Sequence, residues 1–245
     1  MSAPRVVTIV QARMGSTRLP GKVLADLAGA PLLERQIERL LRARSHDRIV
    51  VATTTHARDE PIVALAERLG VAGFRGDEHD VLARYALAAA EHAADVVVRV
   101  TSDCPLIAPE VLDRCVAALL ADGRLDYVTN TVERSYPRGL DVEVLTRRAL
   151  DAAAHEATEP ADREHVTRYV RRRPERFPTA NVVDAEDHSH LRWTVDTALD
   201  LEVVRAVYEV LYPSDPAFSY RDALRHAAEH PDVHARNRHV RQKQV

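Results

Sequence analysis

Residues 7–22, VTIVQARMGSTRLPGK, run from a short apolar segment into a basic, glycine-bearing loop. Val6, Val7, Thr8, Ile9 and Val10 are β-branched in succession, which predicts a buried strand. The loop carries Arg13, Arg18 and Lys22, the hydroxyls of Ser16 and Thr17, and the glycines Gly15 and Gly21. A strand opening into such a loop offers backbone N–H groups and cations to a phosphate. The lysine sharpens the point. Among 34 lysines and arginines the only lysines are Lys22 and Lys243. Arginine is the default cation, so Lys22 brings something different: a compact charge on a flexible stem. The loop is not a P-loop of the NTPase kind, because five residues separate its glycines instead of four and Val23 follows the lysine.

Outward from the loop, strands and helices alternate. Residues 48–52, 71–74, 96–100 and 126–128 have the apolar, β-branched character of strands. Residues 33–43, 59–69, 81–93 and 109–120 carry apolar stripes at helical spacing, with Pro31 suited to a first turn and Gly70 to a helix end. This alternation predicts an α/β fold with a mostly parallel sheet covered by helices on both faces. In such sheets ligands gather at the carboxyl ends of the strands, where the basic loop falls. Past residue 131 the alternation stops. A strand is expected at 140–145, helices at 146–156, 162–172, 199–212 and 220–229, and extended pieces at 179–183 and 191–195. Residues 131–190 read as an insertion within one domain spanning 1–245, and the segment from His230 as a surface tail.

Composition narrows the classes. A chain of 245 residues with 46% hydrophobic content can bury one substantial core. A net charge of −3 gives no general attraction to nucleic acid or anionic membrane. No apolar run approaches the length of a membrane span, and the first strand begins too early for a signal peptide. Cys104 and Cys115 make neither a disulfide framework nor a zinc knuckle, so a reduced, cytoplasmic chain is expected.

Two aspartates stand out. Asp103 follows the apolar strand 96–100, and Asp196 follows LRWTV at 191–195. Either could hold Mg²⁺, which takes one or two carboxylates with phosphate oxygens and waters. Either could instead cap the helix that follows it. Arg138, Asp141 and Glu143 form a charged cluster suited to a hydroxyl-rich substrate, or an ordinary exposed strand face. Arg171, Arg172 and Arg173 read as a solvated helix end.

Taken in order, several segments resemble one family. QARMGSTRLPGK (11–22) is similar to the signature of cytidylyltransferases that activate acidic sugars such as octulosonate and acylneuraminates. The match to the spore-coat polysaccharide type extends through VATT (51–54), FRG (74–76), DVL (80–82), RVTSDCPLI (99–107), YPRGLDVE (136–143), REHVT (163–167) and SHLRWTVD (189–196). Arg168 and Ala198 depart from it, standing where the pattern has proline. The resemblance implies a Rossmann-like, nucleotide-diphospho-sugar transferase-like fold. It implies transfer of a cytidylyl group from CTP to an acidic sugar, a nonulosonic acid being the leading expectation, with Mg²⁺ and in a homodimer. On the matched positions, Arg13, Arg18 and Lys22 would hold the triphosphate. Backbone groups around Ala12, Gly15 and Ser16, with Thr53, Gly76 and Ser102, would complete the nucleotide site. Asp103 and Asp196 would bind magnesium, with Arg13, Lys22 and Asp103 at the chemistry. Arg138, Asp141, Glu143, His165 and Trp193 would line the sugar side. Two other classes compete. A nucleotide-sugar-dependent glycosyltransferase would carry an Asp-x-Asp pair after a core strand, which this chain lacks. A non-catalytic nucleotide-binding protein would not need both aspartates.

Overall fold

In the computed structural model, which describes residues 3–242, the first strand, β1 (Val6–Gln11), sits inside a seven-stranded sheet. A small hairpin, β2 (Asp26–Leu27) with β3 (Ala30–Pro31), lies between its loop and α1 (Leu32–Leu40). The chain then makes β4 (Arg48–Thr54), α2 (Glu60–Arg68), β5 (Ala72–Gly76), α3 (Val81–Glu91), β6 (Val96–Thr101) and α4 (Pro109–Ala121). β4 and β6 flank β1 in parallel, and β5 adds to β4 in parallel. The second half contributes β7 (Tyr127–Thr129), β8 (Glu143–Thr146) and β9 (Thr179–Asn181). β8 joins β6 antiparallel, giving the order β5-β4-β1-β6-β8-β7-β9. The region after residue 131 therefore extends the same sheet.

Alternation along the strands explains the two-sided burial. Val6, Val10, Val98 and Val100 face a core made with Leu33, Ile37, Ile62, Leu112 and Val204. Val7, Ile9 and Val97 face the opposite one, with Leu82, Tyr85, Leu150 and Val170. Full burial of each such side chain is worth about 1.5–3 kcal/mol, so both faces hold the sheet. From β1 the chain passes to β4 and β5 on one side, then returns to β6 on the other. The crevice of an open α/β sheet lies at this reversal, beyond the carboxyl ends of β1 and β6.

The remaining helices are α5 (Arg147–Glu156), α6 (Pro160–Glu164), α7 (Arg168–Arg171), α8 (Ala198–Leu211), α9 (Tyr220–Glu229) and α10 (Pro231–Ala235). Several expectations need correction. β5 runs on to Gly76. The strand expected from residue 140 begins at Glu143, leaving Asp141 in the loop ahead of it and Arg138 in a single bridge. The helix expected over 162–172 is two short ones, broken where the Thr167 hydroxyl donates to buried Glu143 at 2.6 Å. Residues 191–195 make only one bridge, Arg138 with Arg192. The segment from His230 is not a simple surface tail: His234 and Asn237 are buried. Lys243 lies outside the described residues. Both cysteines are buried and free. No helix among the described residues is long and apolar enough to cross a membrane.

Candidate active site

The register of the sheet places the two strand-end loops side by side, since Gln11 pairs with Thr101 across β1 and β6. The loop after β1 is tied down from the neighbouring strand. Its Met14 N–H donates to Asp59 Oδ1 at 2.7 Å, and fully buried Asp59 also accepts from Thr54. Gly21 closes the loop at φ 71°, in the left-handed region that favours glycine, and starts the turn carrying Lys22.

Lys22 is the centre of the site. Its side chain is nearly buried, and Nζ donates to Asp103 Oδ2 at 3.2 Å, Asp196 Oδ1 at 3.0 Å and the Val195 carbonyl at 2.7 Å. All three N–H bonds of the ammonium are thus directed. Burial pushes its pKa down, but the Asp103 and Asp196 carboxylates outweigh this and hold it above the ordinary lysine value. The reciprocal holds at Asp103. Burial raises its pKa, while Lys22 and the Thr101 hydroxyl, donating at 2.5 Å, bring it below the usual carboxylate range. Two residues expected on the metal and one expected on the phosphate therefore meet each other.

Neither aspartate caps a helix. α4 begins six residues beyond Asp103, capped by Ala108. α8 is capped by Thr197 in a reciprocal capping box with Asp200. Asp196 is left to accept from Lys22, from Arg18 Nη2 at 2.9 Å and from Arg192 Nη2 at 3.1 Å. Arg192 is held in turn by Asp200 through Nε at 2.8 Å.

Two clefts open from this centre. One is walled by Ala12, Arg13, Ser16, Arg18, Lys22, Ser102, His165 and Asp196, with Arg84 from α3. The other is walled by Thr131, Arg134, Arg138, Asp141, Glu143 and Arg171. Arg99, Thr101, Asp103 and Gln242 belong to both. The first cleft collects most of the expected nucleotide residues. Arg13 faces Glu78 at 3.9 Å, while the Ala12 N–H is engaged by the Ala52 carbonyl at 3.1 Å. His165 lies here and not on the other side, where the sugar residues were expected.

Three expected nucleotide contacts stay outside the first cleft. Thr53 is buried in β4, where its hydroxyl lacks a partner among the described residues. Gly76 lies behind Arg84, whose Cγ would sit 3.0 Å from a Cβ added there, so this glycine leaves room for that arginine. Gly15 packs against Arg58 and Glu78. Trp193 also needs correction. It is fully buried, and its indole N–H donates to His234 Nδ1 at 3.2 Å, so it supports the Asp196 segment from within the core.

The second cleft is built by paired charges, some local and some from distant segments. Arg134 forks onto Asp141 at 2.6 and 3.0 Å. Buried Glu143 accepts from Arg99, from the Tyr127 hydroxyl at 2.5 Å and from Thr167. Glu143 thus shapes the cleft floor by locking Arg99. Gly139, at φ +111°, lies so close to the Trp193–Thr194 backbone that an added Cβ would sit 2.6 Å from it. Arg99, Arg84, Arg134, Arg171 and Gln242 went unrecognised in the sequence. A single arginine inside VVVRV was the available signal for Arg99, since a charge in a buried strand needs a partner.

The donor set suits a divalent cation that brings ligands with it. Two acceptor-only carboxylates converge on one cationic atom, Lys22 Nζ. Among the described residues no third His, Cys, Asp or Glu joins them. Such a pair matches Mg²⁺ completed by phosphate oxygens and water better than a closed protein cage.

The sequence signature of the cytidylyltransferase family matches residues 7–214, and the chain belongs to that family. It is 33% identical to the spore coat polysaccharide biosynthesis protein SpsF of Bacillus subtilis, over 83% of this chain and 86% of that one. It is 38% identical to a 3-deoxy-manno-octulosonate cytidylyltransferase of Anaeromyxobacter, over 60% of this chain and 61% of that one. A cytidylyltransferase structure from Leptospira borgpetersenii superposes with a TM-score of 0.91 at 32% identity, covering 99% of this chain and all of that one. The architecture is that of the nucleotide-diphospho-sugar transferases.

Proposed function

We propose that this chain transfers a cytidylyl group from CTP to an acidic sugar of the nonulosonic or octulosonic kind. The products are a CMP-sugar and pyrophosphate, for a surface polysaccharide. The observation that carries this is the Lys22–Asp103–Asp196 cluster at the meeting point of two cationic clefts. A transferase of this kind needs two anionic substrates brought together at one centre of charge. Similarity to a 3-deoxy-manno-octulosonate cytidylyltransferase supports the cytidylyl donor and the acidic sugar, and similarity to a spore coat polysaccharide biosynthesis protein supports the destination.

In this reading the nucleotide lies along the basic loop and the acceptor lies in the cleft of Arg134, Arg138 and Arg171. The acceptor's hydroxyl oxygen bonds to the α-phosphorus, the bond to the pyrophosphate oxygen breaks, and the hydroxyl proton passes to solvent. Arg18 and Lys22 neutralise charge that develops on the leaving pyrophosphate. Arg138 and the Arg134–Asp141 pair orient the acceptor, which turns a bimolecular encounter into a positioned one. Asp103 and Asp196 would hold Mg²⁺, which when bound supplies Lewis-acid neutralisation of phosphate oxygens.

The test is a pyrophosphate-release screen of the four nucleoside triphosphates against a panel of acidic and neutral sugars, with and without Mg²⁺. Release confined to CTP with an acidic sugar and Mg²⁺ is expected. Turnover of a nucleotide-sugar donor instead, or release that ignores the sugar's acidity, overturns the reading.

A further inference from the structure

The stretch that matches the family ends at residue 214, yet the chain beyond it reaches the site. After α9 the backbone turns through α10 and packs on the segment that carries Asp196. Two contacts anchor it. Trp193 donates to His234, and fully buried Asn237 donates through Nδ2 to the Arg192 carbonyl and to Asp200 Oδ1, both at 2.9 Å. Five residues further on, Gln242 stands on the wall common to both clefts.

The orientation of its amide is fixed by chemistry. Gln242 Oε1 accepts from Arg192 Nη1 at 2.8 Å. A guanidinium only donates, so the oxygen must face it, and the NH₂ end is turned away from Arg192. Arg192 is itself held by Asp196 and Asp200. The glutamine is thus aimed by the same network that positions a central carboxylate. The wall it shares already carries Arg99, with Arg138 in one cleft and Arg18 in the other. A neutral donor there adds hydrogen bonds to an anion without adding another charge to repel its neighbours.

We propose that Gln242 is a substrate-contacting residue, its amide N–H groups donating to a phosphate oxygen where the two clefts meet. The C-terminal segment is then a working wall of the site. The phosphate in question is the nucleotide's, which rests on the nucleotidyl-transfer reading above.

Two substitutions separate contact from mere support of Arg192. Gln242→Glu keeps an oxygen for Arg192 and replaces the donors with negative charge. Gln242→Ala removes both. Binding of CTP and of inorganic triphosphate is measured by calorimetry with Mg²⁺, beside kcat/KM for pyrophosphate release and a thermal melt. Gln242→Glu should weaken binding of both polyphosphates at least tenfold and lower kcat/KM by at least as much. Gln242→Ala should cost about threefold, and both melts should stay within 2 °C of wild type. If Gln242→Glu binds and turns over as well as wild type, or better than Gln242→Ala, the residue serves Arg192 only and the proposal falls. Inorganic triphosphate keeps the two readings distinct. A wild type that binds it but transfers no cytidylyl group fails the proposed function alone, and the ranking of variants still decides Gln242. A wild type that binds neither polyphosphate overturns both.

Discussion

The cleft along the basic loop and the cleft of Arg134 and Arg138 meet at Asp103 but are assembled in different ways. The first is set by backbone pairing. Parallel β4, β1 and β6 bring the loop after Gln11 beside Thr101, and Asp59 ties that loop to β4. The second keeps one edge on the sheet, where Arg99 and Glu143 are partners across β6 and β8. The rest of its wall is a loop: Arg134 reaches Asp141 within it, and Gly139 lies against the Trp193–Thr194 backbone. Pairing geometry is stiff and tolerates little change. A wall of side chains on turns can be rebuilt without disturbing the sheet. On the proposed reading, the nucleotide end is therefore the fixed part and the acceptor end the part that can vary.

Substitutions can break this contrast. Lys22→Ala removes the cation common to both aspartates and should cost about 2.7–4 kcal/mol, roughly 100- to 1,000-fold in kcat/KM. Turnover within threefold of wild type would take Lys22 out of the reaction. Arg138→Ala should act on one side only. Loss of a charged hydrogen bond, about 1.5–3 kcal/mol, raises the acceptor KM roughly tenfold or more and leaves CTP binding unchanged. An equal loss of CTP affinity would show that the clefts are not separable. Gly139→Ala should work through structure. Backbone strain of about 1–3 kcal/mol lowers Tm by several degrees in a chain of this size, with the acceptor KM rising as the Trp193–Thr194 segment shifts. A melt unchanged within a degree would mean the turn relaxes freely.

A further effect is expected from pH. Burial, then His226 and His230, hold His234 down at about 4, with Asp232 opposing. Burial lowers His226 as well. Between the ordinary histidine value of 6.5 and about 4, the unfolded chain binds more protons than the folded one. Stability is therefore full above pH 6.5 and declines as pH falls toward 4. His234→Gln, which can still accept from Trp193, should flatten that decline in urea titrations. An unaltered slope would place the acid sensitivity elsewhere.

The parts of the molecule governed by local periodicity were legible in the sequence. β1, its basic loop, β6 and Asp103 follow from apolar runs that end in polar turns. The pairing of Lys22 with both aspartates was not legible, because Asp196 lies 174 residues from Lys22 and only the fold brings them together. Trp193 sits in a polar-looking motif, yet its indole is satisfied by His234 inside the core. The same contact hides the anchoring of the tail. A histidine and an asparagine read as surface residues until a distant donor or acceptor makes their burial affordable. Residues 162–172 kept a helical pattern, but the tertiary bond from Thr167 to Glu143 prevailed over propensity.

The anchoring of Arg192 and Trp193 by Asn237 and His234 bears on synthesis as well as on structure. Chains emerge from the ribosome amino end first and begin to fold as they appear. By residue 101 β1, β4, β5 and β6, and the basic loop with them, have been made. The carboxylate that completes the cluster follows at Asp196, and the residues that pin its segment come in the last dozen or so described. A nascent chain thus carries the anion-attracting loop without its full counter-charge until the residues from Asp196 to Asn237 have been made.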